Sequence, residues 1–419
     1  IRRLNIEALP GRPAYPVVAP AREALKAAAD MIRANARIVI KAGGGTRNFA
    51  GEIRALAEAT GAAVVLSPGS TGVMPDGHPL NMHVGGSKGS ISGNYAMEHA
   101  ELLVVIGSRA VCQADCSGTG YPRVRAVINI NGDLADAAHY NRTAMLTGDI
   151  GATVRGLVAE LGNLHREPDI EDANRVWRDA CLARKAEWAA LKRKRCAEVR
   201  LPDDTWQREV LTQPSAIATV ARFARQHGVT KIFDAGDVQA NGFQIVEDDA
   251  PFESITESGA SYMGFAASAL LATAIADDGR PMIAFTGDGS FMMPPQILID
   301  AVAHGARGTI VLFDNRRMAA ISSLQVAQYH ADFGTSDAVE VDYVALANAV
   351  KGVKGVFGGT TREELERALE EAFAHDGLSL VHVPVFWGDA EVAGMGAYGR
   401  WNVGPWVTDV EKLYADQVI

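Results

Sequence analysis

The sequence predicts an α/β protein: two doubly wound parallel-sheet domains joined by a helical linker. Three observations lead there. Short unbroken Val/Ile runs alternate with amphipathic helical stretches, and a strand that must bury both faces reads as such a run. The alternation stops once, at residues 164–203, which are rich in charge and hold no β-branched run. The chain has 419 residues, 48% apolar and 21% charged, which is enough for two or three cored domains.

The elements follow in order. Residues 1–20 carry Pro10, Pro13, Pro16 and Pro20, which exclude a helix and mark a linker. The first domain, 21–163, opens on a helix whose Leu25, Ala28, Ala29 and Ile32 form one apolar stripe. Strand Ile38–Ile40, a helix at 50–60, strand Ala63–Leu66, a Gly-rich stretch at 68–93 and strands Leu102–Ile106 and Ala126–Ile130 complete it. Within 164–203 the run Lys192-Arg193-Lys194-Arg195 reads as the solvated face of a linker helix, since glutamates and Trp188 are interleaved. The second domain, 204–389, reads as helix 214–227, strand Lys231–Asp234, a helix near 263–276, strand Met282–Thr286, helix 294–304, strand Thr309–Phe313, helices 341–350 and 361–374, and strand Ser379–Val383. Residues 390–419, with Trp401 and Trp406 among glycines, read as a tail that packs back on the body.

Composition narrows the function. Fifty acidic against forty basic residues leave a net charge of −10, so no nucleic acid or anionic membrane is expected as a partner. Cys112, Cys116, Cys181 and Cys196 are too few for a disulfide scaffold and lack zinc-ligand spacing, which points to a reducing, cytoplasmic setting. No apolar run nears the roughly 18 residues of a membrane span. The chain starts at Ile1 without a signal-peptide core, so the native start is expected upstream or removed by processing.

The chemistry concentrates in Thr286-Gly287-Asp288-Gly289-Ser290 and, one helix later, Phe313-Asp314-Asn315. Each motif stands at the end of a predicted strand. In a parallel sheet those ends lie side by side, where α/β proteins bind ligands. A carboxylate and an amide oxygen there, with glycines that let N–H groups approach a phosphate, suit a Mg²⁺ or Ca²⁺ ion bridging a diphosphate to protein. Separately, Gly-Asp-Gly and Asp-Asn are common turn sequences. Their separation, 24 residues between Gly289 and Asp314, is the informative part.

That spacing resembles the thiamine-diphosphate motif of the pyruvate decarboxylase and acetolactate synthase superfamily. The resemblance implies that Asp288, the Asn315 side chain and the Arg317 carbonyl bind the metal, and that Gly287, Gly289 and Ser290 meet the diphosphate. Asp314 stands where the family has Asn, and Arg316-Arg317 replaces a small pair. Gly259-Ala-Ser-Tyr-Met263-Gly264 resembles the segment that props thiamine into a V, with Met263 as the wedge and the Ser261 carbonyl receiving the pyrimidine amino group. Asp234-Ala-Gly-Asp-Val-Gln239-Ala-Asn241-Gly242 resembles the first diphosphate loop, and assigns Gln239 and Asn241 to the cofactor. Ala42-Gly-Gly-Gly45, Gly69–Asp76 and Val105–Arg109 resemble the family's middle domain, which holds FAD or a nucleotide in some members and is structural in many. Leu312–Asn315, Ile321-Ser-Ser-Leu-Gln325 and Tyr398-Gly-Arg-Trp401-Asn402-Val403-Gly404 are similar to the hydrolases of cyclic 1,2-diones, trihydroxycyclohexanedione and cyclohexane-1,2-dione hydrolase. Ser322-Ser323 departs from the inositol-pathway type.

The resemblance lacks the family's pyrimidine-binding domain, whose glutamate activates the cofactor. It therefore implies a large subunit in a split enzyme, with a separate pyrimidine-domain chain, at least two copies in a hetero-oligomer, and a small carbonyl substrate. Truncation of a longer chain is the other explanation. Gln325, Gln328, Tyr329 and His330 are the substrate-side candidates. An acetolactate-synthase-like carboligase or 2-keto acid decarboxylase subunit and a non-catalytic, cofactor-binding regulatory subunit are the alternatives.

Overall fold

A computed structural model describes residues 17–87, 89–111, 113–257, 259–276, 279–337, 339–388, 390, 392 and 408–419. Most of the leading linker, Cys112 and the tail motif with Trp401 and Trp406 lie outside the described residues.

The first sheet is wholly parallel. It contains β1 (Ile38–Ala42), β2 (Ala63–Leu66), β3 (Asn81–Val84), β4 (Leu102–Ile106), β5 (Ala126–Asn131) and β6 (Thr143–Thr147), in the order β3-β2-β1-β4-β5-β6. β1 and β4 are buried along their whole length, as their apolar runs require. β3 and the start of helix Ile91–His99 lie within the Gly-rich stretch 68–93. Asn-Met-His-Val has no apolar run, so neighbours rather than pattern make it a strand.

The linker is one helix, Pro168–Cys196. Its basic run is not uniformly solvated, contrary to expectation. Arg195 is 1% exposed and donates to Gln244 Oε1 and Asn241 Oδ1, both at 2.7 Å. Lys192 lies 3.0 Å from Glu247 Oε1. The run therefore ties the linker to the second domain.

β7 (Arg200–Asp203) and β8 (Arg208–Thr212) form an antiparallel hairpin across the expected boundary at 203/204. The hairpin joins the second sheet, with β9 (Thr230–Phe233), β10 (Ser254–Thr256), β11 (Met282–Gly287), β12 (Gly308–Asp314), β13 (Val353–Phe357) and β14 (Leu378–Phe386). The order is β10-β9-β11-β12-β14-β8-β7, and β13 also pairs with β14. Gly287 is level with Phe313, so Asp288 and Asp314, one residue further on, end neighbouring strands at the same height.

Two expected elements differ. The helix near 263–276 is short, Phe265–Ala269, and tightens into a 3₁₀ turn at Leu270–Ala274. The loop expected at 234–242 is mostly helix, Asp237–Ile245, entered through Gly236 at φ 86°. That helix lies on a continuous apolar seam, in which Phe243, Ile245 and Val246 share a cluster with Leu66, Met74 and Val84 of the first domain. None of the described helices is long and apolar enough to cross a membrane.

Removing the Arg195 guanidinium strands two buried amide oxygens. Arg195→Ala is expected to lower stability by about 2–4 kcal/mol, read as a lower urea midpoint at unchanged m-value.

Candidate cofactor and cation site

The site is built on the tips of β11 and β12. Asp288 opens a one-turn helix, Asp288–Phe291, and is 4% exposed. Its Oδ2 has no hydrogen-bond partner. Burial, and then the neighbouring Asp314 charge, push this carboxyl up to about 8, with Asp237 and Asp337 adding to the rise. Asp314 is held from two sides: Oδ2 lies 2.9 Å from His382 Nε2, and Oδ1 accepts from the Arg316 N–H at 3.0 Å. Asn315 is buried, donates through Nδ2 to Asp237 Oδ2 at 3.2 Å, and accepts at Oδ1 from the Arg317 N–H at 3.0 Å.

These groups fit a divalent cation. An orphaned, desolvated carboxylate oxygen at one strand tip and an amide oxygen one residue past the neighbouring tip are hard donors. Among the described residues no three His, Cys, Asp or Glu side chains form a metal cage, so a cation here needs amide or carbonyl oxygens and outside ligands as well. The arginine pair is turned elsewhere. Arg317 donates from Nε to Ser336 Oγ at 2.9 Å and lies 3.4 Å over the Trp387 ring. Arg316 donates to the Asp337 carbonyl at 3.4 Å and faces Trp206.

Gly289 forms the floor next to Asp288. A Cβ built there would stand 2.9 Å from Met318 Sδ and 3.6 Å from Met263 Cε, so Met263 does reach this floor. Ser290 is buried beside it, whereas a Cβ on Gly287 would meet nothing nearer than 3.8 Å. Met263 is placed by Asp234, which is fully buried. Asp234 Oδ1 accepts from the Gly264 N–H at 2.8 Å and Oδ2 from Thr286 Oγ1 at 2.9 Å. Desolvation raises the Asp234 pKa, and these bonds partly offset it. Gly264 has φ 88°, and a Cβ there would lie 2.6 Å from Pro294 Cδ, so only glycine fits.

Ser261 also has positive φ, 55°, and its N–H donates to Glu257 Oε2 at 2.6 Å. Against the burial of the Glu257 carboxyl, the N–H groups of Gly259, Ala260 and Ser261 hold its pKa below the usual range. The backbone around Ser261 is thereby fixed.

Residues 25–157 match the thiamine pyrophosphate enzyme central domain, and residues 234–383 match the thiamine pyrophosphate enzyme C-terminal TPP-binding domain. The chain belongs to the thiamine pyrophosphate enzyme family. It is 27% identical to 3D-(3,5/4)-trihydroxycyclohexane-1,2-dione hydrolase of Bacillus velezensis and 26% identical to that of Bacillus subtilis, in both cases over 92% of this chain and 62% of the relative. It is 26% identical to the acetolactate synthase isozyme 1 large subunit of Escherichia coli, over 88% of this chain and 61% of the relative. The chain thus spans about 62% of the length of the curated hydrolases it matches.

In this family member, the residues expected from the first diphosphate loop part company. Gln239 donates to Thr256 Oγ1 at 2.8 Å and to the Glu257 carbonyl at 3.0 Å, and lines an interdomain cavity of about 690 Å³. Asn241 is spent on Arg195 and on Gln213 Oε1. Asp237, on the helix's first residue, is the one that reaches Asn315. The middle-domain glycines border the same cavity, but Gly43 and Gly45 donate their N–H groups to the Ile106 and Gly107 carbonyls. A Cβ on Gly43 would lie 2.3 Å from the Gly107 oxygen, so this glycine serves close strand-end packing. Of the substrate-side candidates, Gln325 accepts from the Phe333 N–H at 3.0 Å, while Gln328, Tyr329 and His330 are exposed.

Asp234 and Asp237 stand in the loop that the resemblance marks, yet it assigns only Gln239 and Asn241 there, and it assigns nothing to Met318 or His382. Asp237 had a signal, an acid entering a helix just after a strand. His382 had none, because nothing in the sequence puts β14 beside β12.

Two outcomes follow from this geometry. Without a cation, the buried Asp288 charge costs stability that grows as pH rises from 3.8 to about 8. Asp288→Asn is therefore expected to melt a few degrees higher than the parent in EDTA at pH 7–8, with the gap closing toward pH 4, and to lose stabilisation by Mg²⁺ in differential scanning fluorimetry. Gly289→Ala displaces only the flexible end of Met318. It is expected to leave the melting temperature unchanged and to weaken thiamine diphosphate binding about tenfold by calorimetry, some 1.4 kcal/mol.

Proposed function

We propose that this chain supplies the diphosphate- and cation-binding half of a thiamine-diphosphate enzyme that cleaves a C–C bond next to a carbonyl by hydrolysis, of the cyclic 1,2-dione type. The observation that carries it is the orphaned Asp288 oxygen at a strand tip level with the one that carries Asn315, next to a Gly289 backed by two methionines. Asp288, Asn315 and the Arg317 carbonyl would hold Mg²⁺, Gly289 and Ser290 would meet the diphosphate, and Met263 would support the ring. When bound, the cofactor supplies a nucleophilic carbon and an electron sink for bond cleavage. The dione substrate is taken from the hydrolase relatives, whose names state that activity.

The proposal includes a second chain that brings a pyrimidine-binding domain and its glutamate, in a hetero-oligomer with at least two copies. Large apolar side chains are exposed on the segments framing the crevice, including Tyr262, Met293, Tyr329 and Phe333, which suits a protein cover. An acetolactate-synthase-like carboligase is the second reading, supported by the Escherichia coli relative.

The test is reconstitution with thiamine diphosphate, Mg²⁺ and co-purifying protein. Ring opening of cyclohexane-1,2-dione is expected, with at least about a hundredfold loss in Asp288→Ala. Release of CO₂ from pyruvate without ring opening would favour the second reading. An active preparation with no second polypeptide by mass spectrometry removes the separate-chain part.

A further inference from the structure

We infer that Asp237 is a positioning residue for the cation site: it fixes which end of the Asn315 amide faces the cation. This rests on the reading of Asp288 and Asn315 as cation ligands.

An asparagine can serve a cation only through its oxygen, since a rotated amide presents two N–H donors instead. Both ends of the Asn315 amide are already assigned. The Arg317 N–H donates to Oδ1 at 3.0 Å, and Nδ2 donates to Asp237 Oδ2 at 3.2 Å. Turning the amide over would set its NH₂ against the Arg317 N–H and its oxygen against a carboxylate. The observed arrangement leaves Oδ1 with a second lone pair for a cation. At the tip of the neighbouring strand, Asp288 Oδ2 is buried with no partner, which points to a ligand between the two tips.

Asp237 is itself well placed to hold the amide. It is the first residue of the helix Asp237–Ile245, where the aligned backbone dipoles favour an anion, and its Oδ1 accepts from the Val238 N–H at 3.1 Å. The seam that buries Val238 and Phe243 anchors this helix to the sheet and to the first domain. Asp237 thus orients a ligand of the cation without having to be one, as outer-shell partners of metal ligands do.

The test uses the 419-residue chain freed of metal and cofactor, with Mn²⁺ as the probe and free Mn²⁺ counted by electron paramagnetic resonance. Asp288→Ala is expected to abolish binding at the site. Asp237→Ala is expected to weaken Mn²⁺ about tenfold or more, and Asp237→Asn, whose carbonyl oxygen still accepts from Asn315 Nδ2, to stay within about threefold of the parent. In an Asn315→Asp background, with no amide to orient, the Asp237→Ala loss should vanish. A merely structural role would move melting temperature and leave this pattern absent. If Asp237→Ala melts below the assay temperature, Asp237→Ser takes its place with the same expected loss. Asp237→Ala binding within about twofold of the parent, while Asp288→Ala loses the ion, overturns the positioning role alone. So does Asp237→Asn falling as far as Asp237→Ala, since charge alone would then explain the loss. Unchanged binding in Asp288→Ala overturns the cation-site reading itself.

Discussion

A carboxylate buried without a counter-charge is the constraint around which the second domain is organised. Asp288, just past the end of β11, and Asp314, the last residue of β12, stand level on adjacent parallel strands, so two carboxyls are brought close together where both are buried. A proton can relieve this, and so can a cation. His382, on β14, partners only Asp314, at Oδ2. Asp288 Oδ2 is left without a hydrogen-bond partner, and the proposed cation site rests on that oxygen.

Such a site is unfavourable to fold, and its surroundings supply the compensation. β11 and β12 are buried along nearly their whole length, so the tips are rigidly placed. Asp234 reaches from β9 to both the Gly264 turn and Thr286, which couples Met263 to the same strand that carries Asp288. Positive φ at Ser261, Gly264 and Arg316 marks backbone held in uncommon shapes around the crevice. The arginines after Asn315 are absorbed by Trp206, Trp387, Ser336 and Asp337, so a bulky pair is accommodated beside a site where small residues would be simpler.

The two domains meet along the helix that begins at Asp237. Its first residue reaches Asn315, Gln239 faces the interdomain cavity, and Asn241 and Gln244 grip Arg195 of the linker. One helix therefore connects strand tips, cavity and linker. The middle-domain glycines pack strand ends together there, and the large cavity is bordered by both domains rather than by a glycine loop alone.

Much of this was legible in the sequence because it depends on local rules. Unbroken apolar runs marked β1, β4, β11 and β12, the interval between Gly289 and Asp314 put one helix between two strand ends and so paired Asp288 with Asn315, and Met263 was placed by family resemblance alone. Pairing across distance was not legible. The contacts Asp237–Asn315, His382–Asp314 and Arg195–Asn241 join residues 78, 68 and 46 positions apart. Strand order and the burial of a charged linker residue are settled only when sheets close and cores fill. Local chemistry thus wrote the donors into the chain, and the folded sheet alone chose their neighbours, because a polar side chain's partner depends on which surfaces the apolar core draws together.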